Sequence, residues 1–273
     1  MTTRRIGLVA LHVFKESVRD RVLYAIGGFA VLLVAASIVI GQLTAGQDVK
    51  IIKDLGLATI EMAGVLMTIF IGVGLVSREI ERRSIYGLLA KPLPRWEFVV
   101  GKYLGLLLTI FVNVSAMTGA LFLMLLWAQF TSPDNVRASW DAPAADPRLL
   151  VAMLLIFTEL ALLTAIAVFF STFSSSGLWS VVFTLGIFIA GLVSPDLRNF
   201  GGIVEASQLV VRAVAVIGWI LPSFAAFSDR KDDFVHGIAV PPGYVLQTML
   251  YAATYIAVAI GAATAVFSRR EFK

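Results

Sequence analysis

The chain has 273 residues, 59% of them hydrophobic and 15% charged, against roughly 45–50% and about 25% in soluble domains. That excess excludes an ordinary soluble domain and predicts an integral membrane protein. With no cysteine, two histidines (His12 and His236) and a net charge of only +4, the composition excludes disulfides, thiolate metal sites and a cysteine nucleophile, makes a histidine-rich metal site unexpected, and gives no sign of a nucleic-acid partner.

Residues 6 to 21 read as an amphipathic helix lying on the membrane. Leu11, Phe14 and Val18 share one face, and Lys15, Glu16, Arg19 and Asp20 take the other. These charges interrupt the first apolar run, so it does not read as a secretory signal. The alternative is a ragged cytoplasmic tail. The first span is expected at 22–42, followed by a short loop carrying Asp48, Lys50, Lys53 and Asp54. About twenty apolar residues suffice to cross the hydrocarbon. The second span is expected at 57–77 and the third at 103–128. A proline-containing loop over 129–148 leads to a fourth span at 149–171. An uncharged turn from Ser171 to Gly177 leads to a fifth at 178–194, and the sixth covers 244–267.

Between the last two spans, residues 195–243 are ambiguous. The run Leu209–Leu221 is apolar except for Arg212 and ends at Pro222. Its length suits an interfacial or re-entrant segment better than a full span. Glu205, Gln208 and Arg212 share a helix face, which predicts an amphipathic helix on the far side, with a seventh span as the alternative. Charge favours six. Arg4, Arg5, Lys15, Arg19, Arg21, Arg78, Arg82, Arg83, Lys91, Arg95, Lys102, Arg269, Arg270 and Lys273 make fourteen of the 22 basic residues. All of them fall in the two tails and in the stretch 78–102, which the positive-inside rule places in the cytoplasm.

That stretch, between the second and third spans, is the candidate functional element. Glu79 is spaced to pair with Arg82 and Arg83. Ile85, Leu88 and Leu89 form an apolar patch on a short helix over 79–90, and Pro92 and Pro94 end it. An apolar knob with a charged rim suits a groove on a partner protein, while an ordinary anchoring loop remains the alternative. Gly101-Lys102 is followed by Tyr103, so it is not a phosphate-binding loop, which needs Gly-Lys-Ser/Thr. Any ATP would be hydrolysed by another chain. Within the spans, Glu159 and Asn113 stand out. Glu159 either serves a substrate route or subunit interface, or simply bonds to Thr158, Thr164 or another span. Asn113 fits as interhelical glue. Glu61 lies nearer a span end and is expected to be solvated. Gly101-x-x-x-Gly105 and Gly72-x-Gly74 permit close packing.

Arg78-Glu79, the run Ser84-Ile85-Tyr86-Gly87-Leu88-Leu89-Ala90-Lys91-Pro92-Leu93-Pro94-Arg95 and then Gly101-Lys102 resemble the type-2 ABC exporter permeases. The segments HVFKESVRDRVLY and FSRREF are similar to that family's opening helix and closing basic run. The resemblance implies an all-α, six-span permease domain over 1–273 and no enzymatic activity in this chain. It implies a connecting helix within 1–21, a coupling stretch over 78–102 and an extracytoplasmic segment at 195–243. It further implies a second permease subunit, identical or a sister, and a separate ABC ATPase that binds the ATP, with no cofactor in this chain. Arg78, Glu79, Arg82, Arg83, Ile85, Gly87, Leu88, Leu89, Pro92 and Arg95 would then couple the ATPase to export. Both termini would be cytoplasmic, in the cytoplasmic membrane. The segment Ile220-Leu221-Pro222-Ser223-Phe224-Ala225-Ala226-Phe227 resembles a branch whose permease serves copper-site maturation, which implies an alternative role as a force transmitter acting on an extracytoplasmic partner. A membrane scaffold or a channel independent of ATP is the further alternative.

Overall fold

The structure is a computed structural model that describes residues 2–42, 48–81, 94–174, 176–204 and 207–269. The described residues form helices and turns, with no strand among them. In chain order they are α1 (Thr2–Val18), α2 (Arg21–Gln42), α3 (Asp48–Glu81), α4 (Arg95–Thr131) and the short α5 (Asp134–Arg137). Then follow α6 (Leu149–Phe173), α7 (Gly177–Leu192), α8 (Ser194–Arg198), α9 (Phe200–Ile203), α10 (Gln208–Ile220), α11 (Ala225–Ser228), α12 (Lys231–Val235) and α13 (Pro242–Arg269).

Among the described residues, four helices are long and apolar enough to cross a membrane: Val49–Gly72 within α3, and all of α4, α6 and α13. The pair Gln208–Ile220 and Ala225–Val235, bent by 60°, adds a fifth if it counts as one broken span. Shorter apolar helices cover Leu23–Ala36 within α2 and the whole of α7.

Helix α6 is the hub. Most of its side chains are buried, and it packs against α3, α4, α7 and α13. This is the arrangement expected of a helix that is apolar all round. Gly64 of α3 faces Leu160 of α6 and Gly72 faces Ala167, so these two helices run in the same direction. Thr158, Thr164, Ser171 and Thr172 on α6 bond back to carbonyls of their own helix. Back-bonding of this kind hides hydroxyls in an apolar interior.

Several boundaries differ from the sequence reading, and α4 begins at Arg95, eight residues before the expected start of the third span at 103. The loop expected at Asp48–Asp54 is helical, because Val49 and Ile52 are buried in the core and Lys53 has its own partner, donating from Nζ to the Pro143 carbonyl at 2.9 Å. The turn expected from Ser171 begins only after Phe173, since Ser171 and Thr172 keep helical bonds. The loop over 129–148 starts late, after α4 ends at Thr131, and contains α5. In 195–243, Pro222 does end a helix, but Glu205 of the proposed polar face lies outside the described residues.

Helix α1 packs against α4 by a face other than Leu11, Phe14 and Val18. Val13 and Ser17 are buried, whereas Leu8 and Leu11 are exposed. The Gly101/Gly105 pair on α4 seats α1. A Cβ at Gly101 would lie 2.7 Å from Val9 Cβ, and one at Gly105 would lie 2.6 Å from the Ala10 carbonyl oxygen and 2.7 Å from Val13 Cβ. Only glycine allows the two backbones to come this close.

Candidate functional site

Of the proposed coupling residues, Arg82, Arg83, Ile85, Gly87, Leu88, Leu89 and Pro92 lie outside the described residues, as does the expected helix beyond Glu81. Arg78 and Glu79 belong to the last turns of α3, which runs past the predicted span end at 77 to Glu81. The other flank of the stretch is described in full. Arg95 opens α4 and donates from Nη1 to the carbonyls of Phe267 (3.1 Å) and Ser268 (2.6 Å), at the C-terminal end of α13. The last carbonyls of a helix have no partners within it and carry partial negative charge, so a guanidinium is favoured there. Phe98 stacks on Phe267 with ring centroids 5.6 Å apart, and the Lys102 ammonium sits 4.7 Å from the centre of the Phe98 ring. The first three turns of α4 therefore grip α13 through Arg95 and Phe98, and α1 through Gly101 and Gly105.

Glu159 is fully buried on α6, and neither carboxyl oxygen has a hydrogen-bond partner among the described residues. The proposed partners are otherwise engaged: Thr158 donates to the Leu154 carbonyl and Thr164 to the Leu160 carbonyl. Asn113 does not bridge helices through a described bond. Its Nδ2 donates to Thr109 of its own helix at 2.8 Å. It lines a small gap with Leu23, Met67, Ile71 and Leu106 from the neighbouring turns of α2, α3 and α4.

Glu61 is mostly shielded rather than freely solvated. Lys231 of α12 pairs with its Oε2, and the Ser228 hydroxyl donates to its Oε1 at 3.3 Å. The sequence reading missed this because the partners are some 170 residues away. A polar cap at the same end of the bundle ties the loops together. Asp141 accepts from Lys50 Nζ at 2.7 Å and lies 3.2 Å from His236 Nδ1, and Arg148 donates to the Gly237 carbonyl. These hydrogen bonds hold the Asp141 carboxyl below its ordinary range.

A second missed group is the set of tyrosines on α13. Ser223 N–H donates to the Tyr251 hydroxyl at 2.7 Å, the Tyr244 hydroxyl donates to the Ala226 carbonyl at 2.5 Å, and the Tyr255 hydroxyl lies 3.3 Å from the Ile220 carbonyl oxygen. The available signal was their shared helix face, at i, i+7 and i+11. Two apolar grooves also open on the helical surface. One, of about 480 Å³, lies between α4 and α6 beside Phe111, Phe122 and Phe157; the other, of about 280 Å³, lies between α2 and α3 beside Phe29, Leu55 and Met62.

Nothing among curated proteins matches the sequence. A family model described as "ABC-2 family transporter protein" matches residues 8–272, from the middle of α1 to the penultimate residue. That match spans the multi-pass helical bundle and the stretch 78–102 alike, and the chain belongs to the ABC-2 transporter family as a membrane permease component.

Proposed function

We propose that the chain is one permease subunit of an ATP-driven exporter in the cytoplasmic membrane, working beside a second permease subunit and a separate ATPase that binds at residues 78–102. One observation carries this reading. The helix that leaves the stretch, α4, grips both the first helix and the end of the last one within its opening turns. A push on the stretch from a docked ATPase therefore reaches α1, α4 and α13 together, while α3 receives it directly as the helix that leads into the stretch. ATP is held by the partner, and this chain needs no cofactor.

The same reading gives six spans. Helices α2, α3, α4, α6, α7 and α13 cross, and α8 to α12 fill the space beside α7 without crossing. With 16 residues, α7 rises about 24 Å, short of the roughly 30 Å hydrocarbon. Both termini are then cytoplasmic, and the cap around Asp141 faces outward.

The test is to replace Gly87, Leu88 and Leu89 with aspartate in the chain co-expressed with its ATPase. Lost association and lost stimulation of hydrolysis are expected. Unchanged association would remove coupling from this stretch and favour a simple anchor. The alternative, force transmission to an external partner without a translocated substrate, is supported by the way 218–237 is pinned to α3, α6 and α13. A transport assay on the purified complex separates the two.

A further inference from the structure

The break between α10 and α11 is tied to α13 by three tyrosines, one within it and two on its flanks. Residues 222–224 have left the helical hydrogen-bond pattern, yet Phe224 and Phe227 are fully buried and Phe224 packs edge-on against Phe188 of α7, with centroids 5.1 Å apart. The turn is drawn in so far that a Cβ at Gly191 would lie 2.4 Å from both Phe224 Cδ2 and the Pro222 carbonyl oxygen. Backbone groups at such depth have no water to bond to and need partners from the protein. Phe224 N–H uses the Gly191 carbonyl at 3.1 Å. Ser223 N–H donates to the Tyr251 hydroxyl, while Tyr244 and Tyr255 bond the Ala226 and Ile220 carbonyls on either side of the break; the three tyrosines span about 16 Å along one face of α13.

The opposite end of α13 is the one held by Arg95 and Phe98. A single unbroken helix is therefore bonded at its cytoplasmic end to the flank of the coupling stretch, and along its outer half to the backbone of the turn. Beyond the turn, Lys231 carries the connection on to Glu61 of α3.

We propose that α13 is a coupling rod. Arg95 drives it, Tyr251 and Tyr244 deliver its displacement to the turn at Ser223–Ala226, and the turn passes it to α3 through Lys231 and Glu61. These are positioning residues that touch no substrate. The proposal rests on the reading of the chain as an ATP-driven permease.

Hydrogen exchange on the complex with its ATPase, in lipid nanodiscs, with and without a non-hydrolysable ATP analogue, tests it. In the unsubstituted chain, the analogue alters exchange in the first turns of α4 and again at residues 219–228. Tyr251→Phe lowers the resting protection of the Ser223 amide by about five- to tenfold, the worth of one hydrogen bond. It also silences the nucleotide response at 219–228 and leaves the response of α4 intact. Tyr244→Phe silences the same segment. Arg95→Gln does so with the resting protection of Ser223 unchanged, an effect that a merely structural role would not produce. The α4 response serves as the control for fold and assembly. Should Tyr251→Phe fail that control, the other two variants carry the test. A nucleotide response at 219–228 that survives these substitutions overturns the rod. So does a response confined to α4 in the unsubstituted chain, and in that case the permease reading stands. No response anywhere overturns both.

Discussion

Single residues in this protein are governed by partners distant in the chain. Glu61 and Lys231 show this best, because each is mostly shielded from solvent and the ion pair joins α3 to α12. Removing one partner of a shielded pair strands the other charge, at a cost of about 3–5 kcal/mol. Glu61→Ala is therefore expected to lower the melting temperature sharply, and the double variant Glu61→Ala/Lys231→Ala to recover part of the loss, as a thermal denaturation cycle would show. Gly105 offers a second measurement. Overpacking costs about 1–3 kcal/mol, so Gly105→Leu should release α1 and expose the Arg19–Arg21 turn to trypsin. Gly119→Leu, where an added Cβ meets nothing within 4 Å, should leave cleavage unchanged. Sequence spacing pointed to close packing at Gly101 and Gly105 but could not say against what, since glycine spacing encodes an approach distance and not an identity. For Glu61 no local signal existed, as helix-end position and solvation are set by chain segments that return much later.

At the scale of elements, hydrophobic runs located α2, α6, α7 and α13 to within two residues at each end and the C-terminal end of α4 to within three, while its charged first turns from Arg95 were missed. The start of α3 was less legible. Lys50, Lys53, Asp48 and Asp54 read as loop by composition, yet the tertiary partners Asp141 and Pro143 accept the two lysines and let the helix continue. The fold around 208–235 was legible only as a stop at Pro222, because the bend depends on Gly191 and on the tyrosines of another helix. The docking of the 132–148 loop is expected to depend on pH. Lys50 and His236 lower the Asp141 carboxyl in the folded state, so the unfolded loop binds its proton first as pH falls. The stabilisation is present above the ordinary carboxylate range and is lost as pH drops through the lowered folded value. Proteolysis at Arg137 should accelerate in acid over that window, and Asp141→Asn should abolish the dependence.

For the molecule as a whole, the proposed arrangement of spans rests on the basic residues of the tails and of 78–102 in the sequence and on the loop contacts around Asp141. Because the chain lacks cysteine, single cysteines report sidedness without background. Ser139→Cys, beside the outer cap, should react with an impermeant maleimide in intact cells, and Ser268→Cys only after permeabilisation. The reverse pattern would invert the topology and remove the ATPase from residues 78–102. The family was legible because its motifs sit in a contiguous stretch, whereas the α13 connections were not, since they join Arg95 to Phe267 and Ser223 to Tyr251 across the chain.

The glycine seat for the first helix carries a consequence for biosynthesis. Val9 and Val13 leave the ribosome well before Gly101 and Gly105 exist, and at roughly 5–20 residues per second the interval is about 5–20 s. During that time the nascent α1 lacks the α4 surface that seats it. Its exposed Leu8 and Leu11 suit the lipid headgroup boundary as a temporary berth, so the helix is first a passenger of the membrane surface and later a clasp on α4. A translational pause placed before Gly101 would lengthen that stay, and a premature chaperone or protease encounter at α1 would then compete with its docking.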